Sequence, residues 1–387
     1  LAADFEAQNP DIDVNVVWVP QGAAQKERLL LNIAAGTPPD LMVAASPVSE
    51  LALAGLLRPI DDLLQRSEHF LNANYAPGIF DLFKVDGVTY GVPAIEVGPM
   101  LGLAINVDLF REAGLAPDSI VTLEDLRQAH MLLTRSNGDV LTQLGFSPFD
   151  AVGGMYFPDA WAAAVYDHPV YDAESRTLRF NTPEMQELLE YLRSFFENVP
   201  FHMVQQFHGT YGWWRTGLAS GRLAMHVNGY WQAGAVRPYL VDDEFVFTWM
   251  PNIRGDRAML VGGWGLVIPH GAPNPEAAFR FAEYLTSDAA AQVIFNNRGW
   301  LNANLDTMST LDVSLTPGLP FFFESMAVAD RLLVPESIPI MSAVRASLGG
   351  AAQQVAQGAA SPVQVLSDLE IRLQAQLDEF FSTVEGR

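Results

Sequence analysis

At 387 residues the chain is too long for one ordinary core, since domains run to about 100–200 residues, so two or three lobes are expected. Its 49% apolar and 17% charged residues can fill such cores and exclude disorder on composition. Forty-five acidic against 22 basic side chains leave a formal charge of −23, which argues against nucleic acid and anionic membrane surfaces as partners, and the absence of cysteine excludes disulfides and thiolate chemistry. The opening residues read as a short helix closed by Phe5 and broken at Asn9-Pro10-Asp11. Ile12, Val14, Val16 and Trp18 then alternate, with Val17 and Val19 between them, which predicts a strand. Gln21 to Ala35 carries a helical apolar cluster at Leu29, Leu30, Ile33 and Ala34, with Gly36 as C-cap. Thr37-Pro38-Pro39-Asp40 must be non-helical, and Leu41 to Ala44 predicts a short buried strand. Strand, helix and strand at this spacing predict a βαβ unit and a parallel sheet.

Further along, Thr122 caps a predicted helix through Leu133, with Glu124 and Asp125 in its first turn. Trp213 and Trp214 fall inside another predicted helix, where packing is their ordinary role. Asn274 caps Pro275 to Leu285, whose buried stripe is Ala278, Phe281 and Leu285. Ala351 to Ala360 reads as helix followed by loop. The last helix starts at Ser361-Pro362 and docks through Leu366, Leu369, Leu373, Leu377 and Phe380. No stretch of about eighteen apolar residues occurs. The chain opens at Leu1, directly in the predicted helix, so a signal peptide is absent, removed or not included.

Enzymatic signatures are missing. None of the seven histidines has the helical spacing of a zinc site, and neither a Gly-x-Ser-x-Gly elbow nor a glycine-rich phosphate loop occurs. The adjacent pairs Asp61-Asp62 and Asp242-Asp243 do not face each other as glycosidase carboxylates must. No catalytic residue, metal or cofactor is expected. What stands out is aromatic residues beside turn glycines: Tyr211-Gly212-Trp213-Trp214, Asn228-Gly229-Tyr230-Trp231, Gly262-Gly263-Trp264-Gly265 and Arg298-Gly299-Trp300. A loop tryptophan can offer a flat apolar face to the C–H side of a pyranose, while nearby polar side chains bond its hydroxyls.

These segments resemble, in order, the sugar-type (family 1) extracellular solute-binding proteins of ABC importers, the group that includes maltose-binding protein. Phe5-Glu6-Ala7-Gln8-Asn9-Pro10-Asp11-Ile12-Asp13-Val14 is similar to the family's first helix running into its second strand, and Gly36-Thr37-Pro38-Pro39-Asp40-Leu41 to its Gly-x-x-Pro-Asp turn. Asp86 to Pro93 resembles Asp-Gly-x-x-Tyr-Gly-x-Pro, and Ile105 to Phe110 resembles Tyr-Asn-Lys-Asp-Leu-Phe. Ser220 to Trp231 resembles the Gly-Lys-x-Ala-Met-x-x-x-Gly-x-Trp segment. Gly262 to Ile268, followed by Asn274 to Ser287, resembles the return to the first lobe.

The resemblance implies an α/β, two-lobed periplasmic-binding-protein type II fold, each lobe a mainly parallel sheet flanked by helices, joined by crossing segments. Lobe one would take residues 1–106 and return at 270–313; lobe two would take 107–269 and 314–387. A sugar would bind between the lobes and be handed to a membrane permease, outside the cytoplasm; a monomer is expected, without nucleic acid. The resemblance assigns sugar stacking to Trp231 and hydroxyl bonding to Glu96, with Ser46 in the loop after the Pro-Asp strand. Trp264 and Trp300 follow from their places near the crossings, and Tyr230 and Asn228 flank Trp231 as further candidates.

Two departures bear on this reading. The family's first strand would precede residue 1, so either the chain is a fragment or the sheet lacks an inner strand; an absent inner strand would leave neighbouring edges unpaired, so truncation is expected, and any lipid-bearing cysteine would also lie upstream. Near Ile340-Met341 no stacking aromatic stands where family members often have one, which disfavours a long oligosaccharide. The same fold can also take a polyamine or glycerol phosphate. From another class, a carbohydrate-active enzyme or sensor module would use a similar aromatic cleft.

Overall fold

A computed structural model describes residues 1–19, 23–149, 152–212, 217–218, 220–236, 245–316 and 318–386. Helix α1 (Ala2–Gln8) buries Phe5 between Phe281 and Tyr284. The turn after it forms as expected, with the Ile12 amide donating to Asn9. The strand expected at Ile12 to Val19 does not form. Val16 is 74% and Trp18 81% exposed, and no described strand pairs with them. Alternation fixes which side chains share a face, but a strand also needs a neighbour for its amides and carbonyls.

Helix α2 (Ala23–Ala34) ends where Gly36 turns left-handed at φ 71°, but of its expected apolar cluster only Leu29 is buried. Strand β1 (Met42–Ala45) and helix α3 (Ser49–Leu53) follow. The Gln25 side-chain amide donates to the Val43 carbonyl at 2.7 Å, so a side chain covers part of the outer edge of β1. Strand β2 (Gly91–Pro99) then leads within two residues into β3 (Gly102–Asn106).

Helix α4 (Leu123–Leu133) starts at the predicted Thr122. The Thr122 hydroxyl accepts from the Asp125 amide at 3.1 Å, and the Asp125 carboxylate accepts from the Thr122 amide at 2.8 Å. Strands β4 (Arg135–Asn137) and β5 (Val140–Ser147) precede helices α5 (Pro158–Ala164), α6 (Pro183–Ser194) and α7 (Phe201–Tyr211). Next come β6 (Leu223–Asn228), α8 (Trp231–Val236), β7 (Phe245–Trp249) and β8 (Ala258–Val267). Helices α9 (Pro275–Leu285) and α10 (Asp288–Arg298) follow, then α11 (Leu319–Val328) and strand β9 (Arg331–Leu333). Helices α12 (Met341–Ala356) and α13 (Pro362–Glu385) close the chain, and α13 buries Leu366, Leu369, Leu373 and Leu377 as its spacing predicts. No helix among the described residues is long and apolar enough to cross a membrane.

Two sheets organise these elements. In the first, β8 pairs with β2 along one side and with β1 and β9 along the other; in the second the order is β7–β3–β6–β5–β4. The α/β character is as expected, but the mainly parallel sheets are not. Antiparallel pairings outnumber parallel ones in both sheets among the described strands. The cause is the crossing itself. Strand β2 runs out of the first sheet and β8 runs back into it, so as neighbours they are antiparallel; β3 and β7 repeat this in the second sheet.

Helices α5 and α6 pack on the second sheet through Trp161 and Phe195 against Phe146, and α12 packs on both helices. Beside the second sheet lies a separate apolar cluster that includes Tyr230, Phe247, Phe295, Leu301 and Phe322. Four ionic contacts cluster at the start of β8: Arg331 holds Asp256 at 2.7 Å and Asp167 at 3.0 Å, and Arg254 shares both acids. Close packing is tightest at Gly265, where a Cβ would stand 1.9 Å from the Phe83 ring and 2.6 Å from the Val92 carbonyl. Gly265→Ala is therefore expected to cost about 1–3 kcal/mol through overpacking, read as a lower midpoint in denaturant at unchanged slope.

Candidate functional site

The candidate residues converge on the seam between the sheets. Ala45, Trp264 and Glu96 stand in one row across β1, β8 and β2. The register then slips, so that Gly265 faces Pro93. Such a bulge re-aims side chains beside it. Ser46 follows β1 directly; its amide donates to the Gly263 carbonyl at 2.9 Å, and its hydroxyl accepts from the Gly263 amide at 3.2 Å. Ser46, Glu96 and Trp264 are thus brought to one end of the first sheet.

From the second sheet, β6 delivers the aromatic pair. The Tyr230 amide donates to the Pro99 carbonyl at 3.1 Å, and its fully buried ring lies over Gly98. Trp231 opens α8, half-buried, with its ring edge-on to Tyr230 at 5.6 Å. Its ring folds back over Gly229, where a Cβ would stand 2.1 Å from it, which is why glycine precedes the aromatic pair. The end of α10 completes the group. The Val97 amide donates to the Leu301 carbonyl at 3.3 Å, which places half-buried Trp300 beside β2, and the Arg298 guanidinium stands 5.9 Å over the Trp300 ring. Helix α8 packs on the end of α10.

Asn228 and Tyr230 sit differently from the others. Both are fully buried and offer no surface in this conformation. Asn228 accepts from the Gly229 amide at 2.8 Å, while its Nδ2 has no hydrogen-bond partner among the described residues. Gln232 was not foreseen: it is fully buried, bonded through Nε2 to His226 Nε2 at 2.7 Å, with its Oε1 unpartnered among the described residues. Nothing in the sequence around Gln232 marks it except its place after Trp231. Trp213, Trp214 and the pair Asp242-Asp243 lie outside the described residues. Asp61 bonds Thr89 and Asp62 pairs with Arg58, so both serve local structure.

Electrostatics single out Glu96. It is 9% exposed, and burial lifts its carboxyl to about 7, an effect partly offset by the neighbouring Tyr230 hydroxyl. Burial likewise raises the Tyr230 phenol well above its ordinary value, with the charge of Glu96 adding to the shift. The arrangement offers one hydrogen-bonding carboxyl and three half-buried indole faces, with no nucleophile and base poised together.

The sequence matches the family described as bacterial extracellular solute-binding protein over residues 1–292. The chain belongs to that family. It is a binding protein and not an enzyme, and the family places it outside the cytoplasm. No curated protein matches significantly. Among solved structures, the solute-binding protein is similar to CpMnBP1 with mannotriose bound, at 20% identity and a TM-score of 0.85, covering 96% of this chain and 94% of that one. It is similar to the sugar-binding protein MalE from Xanthomonas citri at 21% identity and a TM-score of 0.78, covering 100% and 95%. An ABC transporter solute-binding protein from Thermotoga lettingae bound with α-D-tagatose matches at 22% identity and a TM-score of 0.77, covering 97% and 94%. These likenesses establish the two-lobed fold of the solute-binding protein.

Proposed function

We propose that the protein captures a sugar in the seam between its lobes and delivers it to the permease of an ABC importer, in the periplasm or on the outer face of the membrane. What supports this is the placement of three tryptophans near the buried carboxyl of Glu96: Trp264 is its cross-strand neighbour, Trp231 packs on Tyr230 beside it, and Trp300 precedes Leu301, which accepts from the Val97 amide. Indole faces match the C–H face of a pyranose, and a carboxylate accepts from its hydroxyls. The bound mannotriose and tagatose of similarly folded proteins favour the same ligand class. Ser46 would add a hydroxyl, while Asn228 and Tyr230 would support the wall behind Trp231.

Strand β3 pairs in the second sheet and β8 in the first, which favours lobes that divide near 99–102 and 250–258. A thermal-shift panel of mono- and oligosaccharides tests the function, with polyamines and glycerol phosphate as controls. A sugar at a hundredfold its dissociation constant is expected to stabilise by about 2.7 kcal/mol, a shift of some degrees. A response to the controls alone would overturn the sugar reading.

A further inference from the structure

Helix α12 begins without a cap of its own. Its N-cap residue Ile340 makes no side-chain bond to the helix, and its first turn carries no acid. Four amides at a helix start need acceptors, and an anion is favoured there. The acceptor comes from the other sheet. Glu50, on α3 beside β1, takes the Ser342 amide at 3.2 Å and the Ser342 hydroxyl at 2.7 Å on its Oε2. Its Oε1 holds Lys26 Nζ at 2.5 Å, so both oxygens are engaged and the carboxylate is anchored to α2. Helix α3 follows directly on β1 of the first sheet, and the Val48 amide at its start donates to the Leu82 carbonyl, whereas α12 packs on α5 and α6 beside the second sheet.

We propose that Glu50 caps α12 across the cleft and thereby latches the lobes together. Parting the lobes draws α3 from α12, strips the Ser342 amide and hydroxyl of their acceptor, and leaves Glu50 with Lys26 alone. The closed form therefore carries an intrinsic bias before any solute arrives, and a solute that prefers the closed form gains affinity in proportion. Glu50 sets affinity without touching the ligand.

The decisive experiment is small-angle scattering of the unliganded full chain, so it does not depend on the identity of the solute. Wild type is expected to be compact, and Glu50→Ala to have a larger radius of gyration. Ser342→Asp is the second variant: it gives α12 its own first-turn acid and repels Glu50, so it is expected to open the lobes while keeping a cooperative melt. In a binding arm, with the sugar that shifts wild type most, Glu50→Ala is expected to bind about fivefold more weakly, the effect of a lost cap. Wild type already at the open dimensions, or both variants at wild-type dimensions, would overturn the latch. The binding arm alone rests on the sugar reading, and failure of wild type to bind any sugar would count against that reading and leave the scattering result standing.

Discussion

Trp231→Ala is expected to weaken sugar binding about five- to 150-fold, the effect of removing a central aromatic contact worth about 1–3 kcal/mol. Trp231 is half-buried at the start of α8, held by the turn at Gly229 and by the edge of Tyr230. Its backbone neighbour Tyr230 stays tied to Pro99 in the variant, so the loss is mainly that of the indole face. Titration calorimetry with the best sugar of the panel reads it directly. Unchanged affinity would remove Trp231 from the site.

Acidification is expected to weaken sugar binding about tenfold for each pH unit below 7, because a hydroxyl donates best to the ionised form of Glu96. Burial raises that carboxyl to about 7, so protonation begins near neutrality. Glu96→Gln should flatten the profile, and a wild-type affinity independent of pH between 5 and 8 would exclude Glu96 as an acceptor. Stability runs the other way. Glu336, which accepts from the Val170 and Tyr171 amides, is also lifted by burial to about 7. A carboxyl with a raised native pKa binds protons more tightly folded than unfolded, so stability falls as pH rises from about 4.5 to 7 and levels off above. Each group contributes up to about 3 kcal/mol across that window. Denaturant midpoints at pH 5 and pH 8 measure this, and Glu336→Gln should reduce the difference.

The fold was legible because short motifs recur in the right order, each with a local cause: Thr122 caps a helix, Gly36 ends one, and the leucine spacing after Ser361 docks one. Strand pairing was less legible. Ile12 to Val19 has strand periodicity without a partner, and the direction of β8 against β2 follows from the path between the lobes rather than from either segment. In the site, Trp231, Trp264 and Glu96 showed through their glycine neighbours and motif positions. The Glu50–Ser342 bond did not, since the two residues lie 292 positions apart and neither sits in a motif. Gln232 was missed for a related reason: its partner His226 lies six residues away on the far side of a turn, where no simple period applies.

Only Met100 and Leu101 separate the end of β2 from the start of β3. Two residues reach at most about 7 Å, and the Met100 amide is itself tied to the Leu260 carbonyl at 2.8 Å. On the proposed capture, such a tether would let the lobes swivel there but not draw apart, and the gap between them would open as a wedge, narrow at the tether and wide at the rim. A solute held near the tether meets nearly constant clearance at every angle, so its ring substituents are judged there. Any extension of the solute toward the rim is judged by how far the swivel must stay ajar, which makes chain length a question of angle.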